Sequence, residues 1–186
     1  MADIKKEGEM NNNYPSVTTI LSPYVDFSMV PEHVLSRATE RGSKVHAICA
    51  AILQGLWVPE IDPECAGYIA SFQAWKEQFV EEVIFVEKEL TDPTYGFMGH
   101  LDFFGRLKRL GYALLDWKTP ITLYKAWRLQ MAGYNRLLEV EREQVDVVAS
   151  LQLDPNGGIP KMVRYENSAQ DFNIFLGLLN GHNYFK

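Results

Sequence analysis

Gly99-His-Leu-Asp102-Phe-Phe-Gly-Arg-Leu-Lys108-Arg-Leu-Gly111-Tyr-Ala-Leu-Leu-Asp116-Trp-Lys118 holds two alternating apolar runs around a short basic turn. Apolar residues recur there with a period of two, so residues 97–107 and 112–118 read as strands, with the turn at 108–111. A hairpin centred on Arg109 sets Asp102 directly opposite Asp116. Asp116 and Lys118 are two apart and leave a strand on one face. Two carboxylates facing each other across a strand pair repel unless positive charge lies between them. Lys118 is one source of that charge, and a divalent cation is the better one; ligation mostly by oxygen suits Mg²⁺ or Mn²⁺. The plainer reading makes Asp116 and Lys118 a solvated pair at a strand end and Asp102 a carboxylate near a turn.

Outward from the hairpin, residues 83–90 read as a preceding strand that carries Glu87. Thr122 is placed to cap a helix reaching residue 141. On that helix Gln130 and Tyr134, four apart, share a side. Residues 145–153 form a buried strand, Asp154-Pro-Asn-Gly-Gly158 a turn, and 159–165 a further strand. Ser168-Ala-Gln-Asp171 resembles a capping box that opens a last helix through 179. Upstream, 31–54 reads as a helix stopped by Gly55, and 62–80 as a second helix with Tyr68, Phe72, Trp75 and Phe79 on its core stripe. Residues 14–21 are open between an edge strand and a helical turn capped by Ser16.

The predicted order is helix, helix, three strands, helix, strand, strand, helix. It implies an α/β fold whose mixed central sheet is flanked by helices on both faces, with the hairpin strands antiparallel and the strands on either side of the fourth helix parallel. Residues 1–13 read as a flexible tail and 14–186 as one domain.

Composition narrows the function. The chain has 186 residues, 47% of them hydrophobic, and a net charge of −6. Such a charge argues against a protein that coats nucleic acid by bulk electrostatics. Two cysteines, Cys49 and Cys65, provide neither a disulfide framework nor a four-cysteine cluster. No membrane-spanning run or apolar leader is evident, so a cytoplasmic location is expected. His46 lies among Gly42, Ser43, Cys49 and Ala50. It reads either as a histidine satisfied by a nearby carbonyl or as a ring presented across a close helix contact.

Arg41-Gly42-x-x-x-His46, Gly99-x-x-Asp102, Asp116-Trp117-Lys118 and Gln130-x-x-x-Tyr134 occur in that order. In this the sequence resembles the RecB-like exonucleases of the PD-(D/E)xK nuclease superfamily. Pro15-Ser-Val-Thr18-x-Ile-Leu21 looks like the opening of the phage and mitochondrial genome maintenance members. The likeness covers roughly residues 14–140 and implies a restriction-endonuclease-like core and metal-dependent hydrolysis of DNA phosphodiesters. It further implies that His46, Asp102, Asp116 and the backbone carbonyl of Trp117 hold one or two Mg²⁺ or Mn²⁺ ions, and that Lys118 orients or deprotonates the attacking water.

Gln130 and Tyr134 would support the site or touch the substrate backbone, and Glu87 is a further carboxylate that the family pattern does not require. The implied partner is DNA, at ends or in single strands, in replication, recombination or repair, with a recombination or replication protein as a second partner. Lys125, Arg128 and Arg136 after the strand, and Arg106, Lys108 and Arg109 before it, suggest basic charge gathered around the site. The cluster-bearing relatives use four cysteines, which this chain lacks. A non-catalytic DNA-end or recombination-partner binding module on the same fold is the alternative from another class.

Overall fold

The computed structural model describes residues 14–58, 60–120 and 122–186; the tail expected at 1–13 lies outside them. The elements are α1 (Val17–Leu21), a 3-10 turn (Ser22–Tyr24), α2 (Glu32–Gln54), α3 (Pro63–Phe79), β1 (Val80–Asp92), β2 (Phe97–Leu107), β3 (Gly111–Lys118), α4 (Ala126–Val140), β4 (Val147–Gln152), β5 (Lys161–Arg164) and α5 (Ser168–Tyr184). The five strands lie in sequence order across one sheet. Pairings β1–β2, β2–β3 and β4–β5 are antiparallel, whereas β3–β4, joined through α4, is parallel. The α/β class with a mixed sheet between helices is as the sequence implies. No described helix is long and apolar enough to cross a membrane.

Residues 14–21 combine both readings left open by the sequence. Ser16 makes an isolated bridge to Met98 and also caps α1, its hydroxyl accepting from the Thr19 N–H. Gly55 ends α2 in the left-handed conformation, at φ 68°, which costs glycine no Cβ clash.

Two helix starts differ from expectation. Thr122 does not cap α4, which begins at Ala126 with Lys125 at the N-cap and no side-chain cap. The preceding loop is held instead by the Tyr124 ring, 5.5 Å from that of Trp127, and by the Trp127 N–H donating to the Tyr124 carbonyl. The capping box at 168–171 does not form either. Asn167 is the N-cap, without a side-chain bond, and the buried Asp171 carboxylate turns to Arg128 of α4 at 3.0 Å. That ion pair ties α5 to α4, and α5 continues past residue 179 to Tyr184.

The core has two halves, one on each side of the sheet. Val45 and Cys49 of α2 with Ile69, Phe72 and Trp75 of α3 cover one face. Val17 and Ile20 of α1, Met131 and Leu137 of α4, and Phe175 of α5 cover the other. Trp117 points to the α3 side, its ring 5.0 Å from Phe72, 5.5 Å from Trp75 and 5.7 Å from Phe103. Strand alternation then turns its neighbours Asp116 and Lys118 the other way. Burying so large a ring anchors the phase of β3, since a one-residue slip would put the indole in the polar site.

At Gly99, β2 lets α4 approach closely. A Cβ added there would lie 2.7 Å from Leu137 Cδ1 and 2.8 Å from Tyr134 Cε1. Gly99→Ala is therefore expected to push α4 off the sheet and to destabilise the protein by about 1–3 kcal/mol, the usual range for overpacking. Urea unfolding of the two proteins checks it; an unchanged midpoint would mean that α4 is free to shift.

Candidate metal site

The β2–β3 ladder runs from Leu107–Gly111 to Phe103–Leu115, the register of a hairpin centred on Arg109, which holds φ 65°. The ladder stops there, one step short of Asp102 and Asp116, which the same register would set opposite each other but which are not paired in it. The Asp102 carboxylate takes the Trp117 N–H at 2.8 Å, doing with a side chain what a strand carbonyl does further along. β2 also changes phase at this point. Leu101 packs on the α4 side and Phe103, two residues on, on the α3 side. Across from this break β1 has its own irregularity, Glu87 at φ 49°, a conformation uncommon for residues other than glycine.

The break gathers three ligand-type groups from three elements. His46 of α2, Glu87 of β1 and Asp102 of β2 each present a donor atom within 4.8 Å of the other two. His46 Nδ1 stands 3.2 Å from Asp102 Oδ2. Glu87 Oε2 faces His100 Nδ1 at 3.1 Å, while Glu87 Oε1 is buried without a hydrogen bond. The group borders an opening of ≈ 600 Å³ lined by Thr39, Gly42, Ser43, His46, Ala47 and Glu87.

Asp116 belongs to an adjoining polar group rather than to this trio. Its Oδ2 is 2.5 Å from Lys118 Nζ, and its Oδ1 accepts from Gln130 Nε2 at 3.0 Å. Gln130 Oε1 in turn accepts from Lys118 Nζ at 3.0 Å, and its amide also donates to the Tyr134 hydroxyl at 3.1 Å. Gln130 thus clamps acid and base together, and Tyr134 fixes Gln130. The two motif pairs, one on β3 and one on α4, form a closed network.

Electrostatics join the two groups. Burial drives the Asp116 carboxyl up to about 6, and the Asp102 charge adds to this against the pull of Lys118 and His46. Burial also acts to raise Asp102, but His46, Lys118 and the Trp117 N–H outweigh it and hold that carboxyl below its ordinary value. Glu87 is raised by burial and by the Asp102 charge. Burial disfavours the His46 imidazolium, yet the Asp102 charge and hydrogen bond, helped by Asp116, lift it to about 9. At neutral pH the His46 proton thus supplies positive charge among the carboxylates. An ion held by one imidazole nitrogen and two carboxylates would replace that proton and give Glu87 Oε1 a partner, so the donor set fits a divalent cation.

The remaining predicted residues are spread more widely. Arg41 lays its guanidinium 5.5 Å from the Tyr68 ring centroid. Lys125 and Arg128 line a separate depression with Asn167, Gln170 and Asp171. The expected gathering of basic charge is only partly realised. Arg128 is committed to Asp171 and Arg136 to the buried Asp92, the latter at 2.9 Å. Arg106 pairs with Glu81 at 3.2 Å. Lys108 and Arg109 sit at the hairpin turn, about 23 Å from Lys118 by the rise of the seven steps of β3.

His100 and Ser150 are additions from the structure. His100 lies inside the Gly99-x-x-Asp102 motif, and its contact with Glu87 becomes visible only once β1 is paired with β2. Ser150 is buried beside Asp116 in the parallel β3–β4 register and meets the Tyr165 hydroxyl at 3.0 Å. Among known proteins, no family model and no curated protein matches this chain.

The raised His46 makes a testable pH dependence. Its ion pair contributes stability that is fully present below pH 6.5 and lost as pH rises through about 9. The metal-free protein should therefore lose Tm between those values. His46→Ala should flatten that decline, and Mn²⁺ should stabilise wild type more at the alkaline end, where no proton competes. Scanning calorimetry in EDTA and in Mn²⁺ reads both effects; a wild-type profile as flat as that of His46→Ala would contradict the pairing.

Proposed function

We propose that this chain is a divalent-metal-dependent deoxyribonuclease, an exonuclease acting at DNA ends or on single strands in replication, recombination or repair. One observation carries the reading. An opening at the parted end of β2 and β3 has a cation-fitting trio, His46, Glu87 and Asp102, beside a lysine held in place by Asp116 and Gln130. The likeness of the ordered motifs to RecB-like PD-(D/E)xK exonucleases supports the same reading, and the motifs meet in space although they span 89 residues of sequence from His46 to Tyr134.

His46, Glu87 and Asp102 would hold Mg²⁺ or Mn²⁺, with Asp116 adjacent. Such an ion lowers the pKa of water and screens charge building on a phosphodiester. Lys118 supplies the remaining chemistry. Its ammonium donates to Gln130 and pairs with Asp116, which leaves a fixed positive charge to orient the attacking water and offset phosphate charge. Gln130 and Tyr134 act through Lys118 and Asp116 as positioning residues. Trp117 holds the strand from behind, while its N–H keeps Asp102 turned toward His46.

Kinetics of three variants on linear DNA test these roles. Lys118→Ala should lower kcat and kcat/KM together by about 10²-fold or more with DNA affinity little changed, since its interaction strengthens only in the transition state. Asp102→Asn should abolish turnover and flatten the metal dependence. Asp116→Asn separates two roles: a flattened metal dependence marks a ligand, whereas kinetics like those of Lys118→Ala mark a partner of the lysine. Unimpaired cleavage by Lys118→Ala would overturn the assignment, and DNA binding without cleavage by wild type would favour a binding module.

A further inference from the structure

Beside the polar site lies an apolar recess of ≈ 310 Å³ that the motifs do not account for. Phe27, from the loop before α2, and Tyr124 and Trp127, from the loop after β3 and the first turn of α4, form an aromatic cluster in its wall. Phe27 and Tyr124 meet edge to face with ring centroids 5.7 Å apart, and Tyr124 and Trp127 at 5.5 Å. Val30 and Val34, both partly exposed, lie on the α2 side.

Two features separate this recess from a patch awaiting another protein. First, it is continuous with the proposed site: Lys118 lines it, with Nζ 5.2 Å from the Trp127 ring centroid, and Thr39 lines both this recess and the opening beside His46 and Glu87. Second, its charge has one sign. Arg41 and Lys118 are its charged lining residues, and none of the described lining residues is acidic, in a chain whose net charge is −6. The Arg41 Nε is buried without a hydrogen-bond partner.

We infer that the recess receives an unpaired nucleobase of single-stranded DNA whose phosphate lies at the trio and Lys118. This rests on the nuclease reading and deepens it by naming the substrate form. The recess is at the low end of the ~300–1,000 Å³ typical of small-molecule sites, so it suits one flat heteroaromatic ring and not a stacked duplex. Aromatic walls hold any base by its π-face, which gives grip with little sequence preference. An acidic chain with four of its eight arginines held in ion pairs gains from this, because stacking does not depend on bulk positive charge. A base still paired in a helix would first have to leave its stack.

The test uses the full chain in EDTA, where binding is read without cleavage. Fluorescence anisotropy follows an end-labelled oligothymidylate, the same strand with one abasic residue, and a blunt duplex. Tyr124→Ala and Phe27→Ala should each weaken binding to the single strand by about tenfold, within the range for loss of base–aromatic stacking, and Tyr124→Phe should restore it. The variants should change duplex binding less. Scanning the abasic residue along the strand should find one position where its loss and that of Tyr124 are not additive.

Folded Tyr124→Ala and Phe27→Ala proteins that bind the single strand like wild type would overturn the recess assignment, and so would a wild type with no affinity for single strands. Metal-dependent cleavage by wild type in either case would leave the nuclease reading standing. Conversely, tenfold losses in a wild type that never cleaves would sink the nuclease reading and keep the base site. Equal losses on duplex and single strand would place the aromatic cluster on a general DNA surface and contradict the proposal.

Discussion

The Asp102 carboxylate stands where β2 and β3 part, and the site is arranged around the cost of burying it there. An ionised carboxylate removed from water needs several strong partners. Asp102 has the Trp117 N–H at 2.8 Å and the His46 imidazole at 3.2 Å, with Lys118 nearby. Each partner comes from a different constraint. The Trp117 N–H is aimed by a strand whose indole is locked against Phe72 and Trp75. His46 is delivered by a helix whose Val45 and Cys49 are buried in the same half of the core. Lys118 is held by Gln130 on the helix covering the opposite face. Both core halves therefore converge on one side chain, and packing changes on either face should be felt in its charge state.

Much of this was legible because it is local. Period-two apolar residues flanking a short basic turn fix a hairpin register with little help from the rest of the chain, so the pairing from Leu107–Gly111 to Phe103–Leu115 was legible, whereas the expected Asp102–Asp116 rung lies one step past its end. The capacity of a helix to bring its i and i+4 positions together put Gln130 beside Tyr134 in the same way. What the sequence did not show depends on partners distant in the chain or on backbone irregularity. Arg128 is neutralised by Asp171, 43 residues away, and nothing in the local pattern says that the acid of an apparent capping box will turn to another helix. Glu87 occupies a left-handed backbone position that its sequence neighbours do not announce; this irregularity occurs opposite the break in β2 and makes Glu87 part of the trio. Asp116 was expected to ligate the cation from its place opposite Asp102; it pairs with a lysine two residues on and its Oδ1 accepts from a glutamine of α4, while its buried Oδ2 makes no hydrogen bond.

These ion pairs bear on how an acidic protein would hold a polyanion. Arg106, Arg128 and Arg136 are engaged by Glu81, Asp171 and Asp92, and the hairpin turn carries its basic residues away from the site. On the proposed nuclease reading, attraction to phosphate before reaction would fall mainly to a bound cation, a short-ranged arrangement that acts on one phosphodiester at a time. Association governed in this way should depend less steeply on salt than that of a protein neutralising many phosphates.

The most direct test of the central claim is digestion of linear DNA labelled at either terminus, single- and double-stranded, by the purified chain in Mg²⁺, Mn²⁺ or EDTA. The account predicts stepwise loss of label that requires the metal and disappears with Asp102→Asn. Absence of metal-dependent cleavage on every substrate, from folded protein, would contradict it.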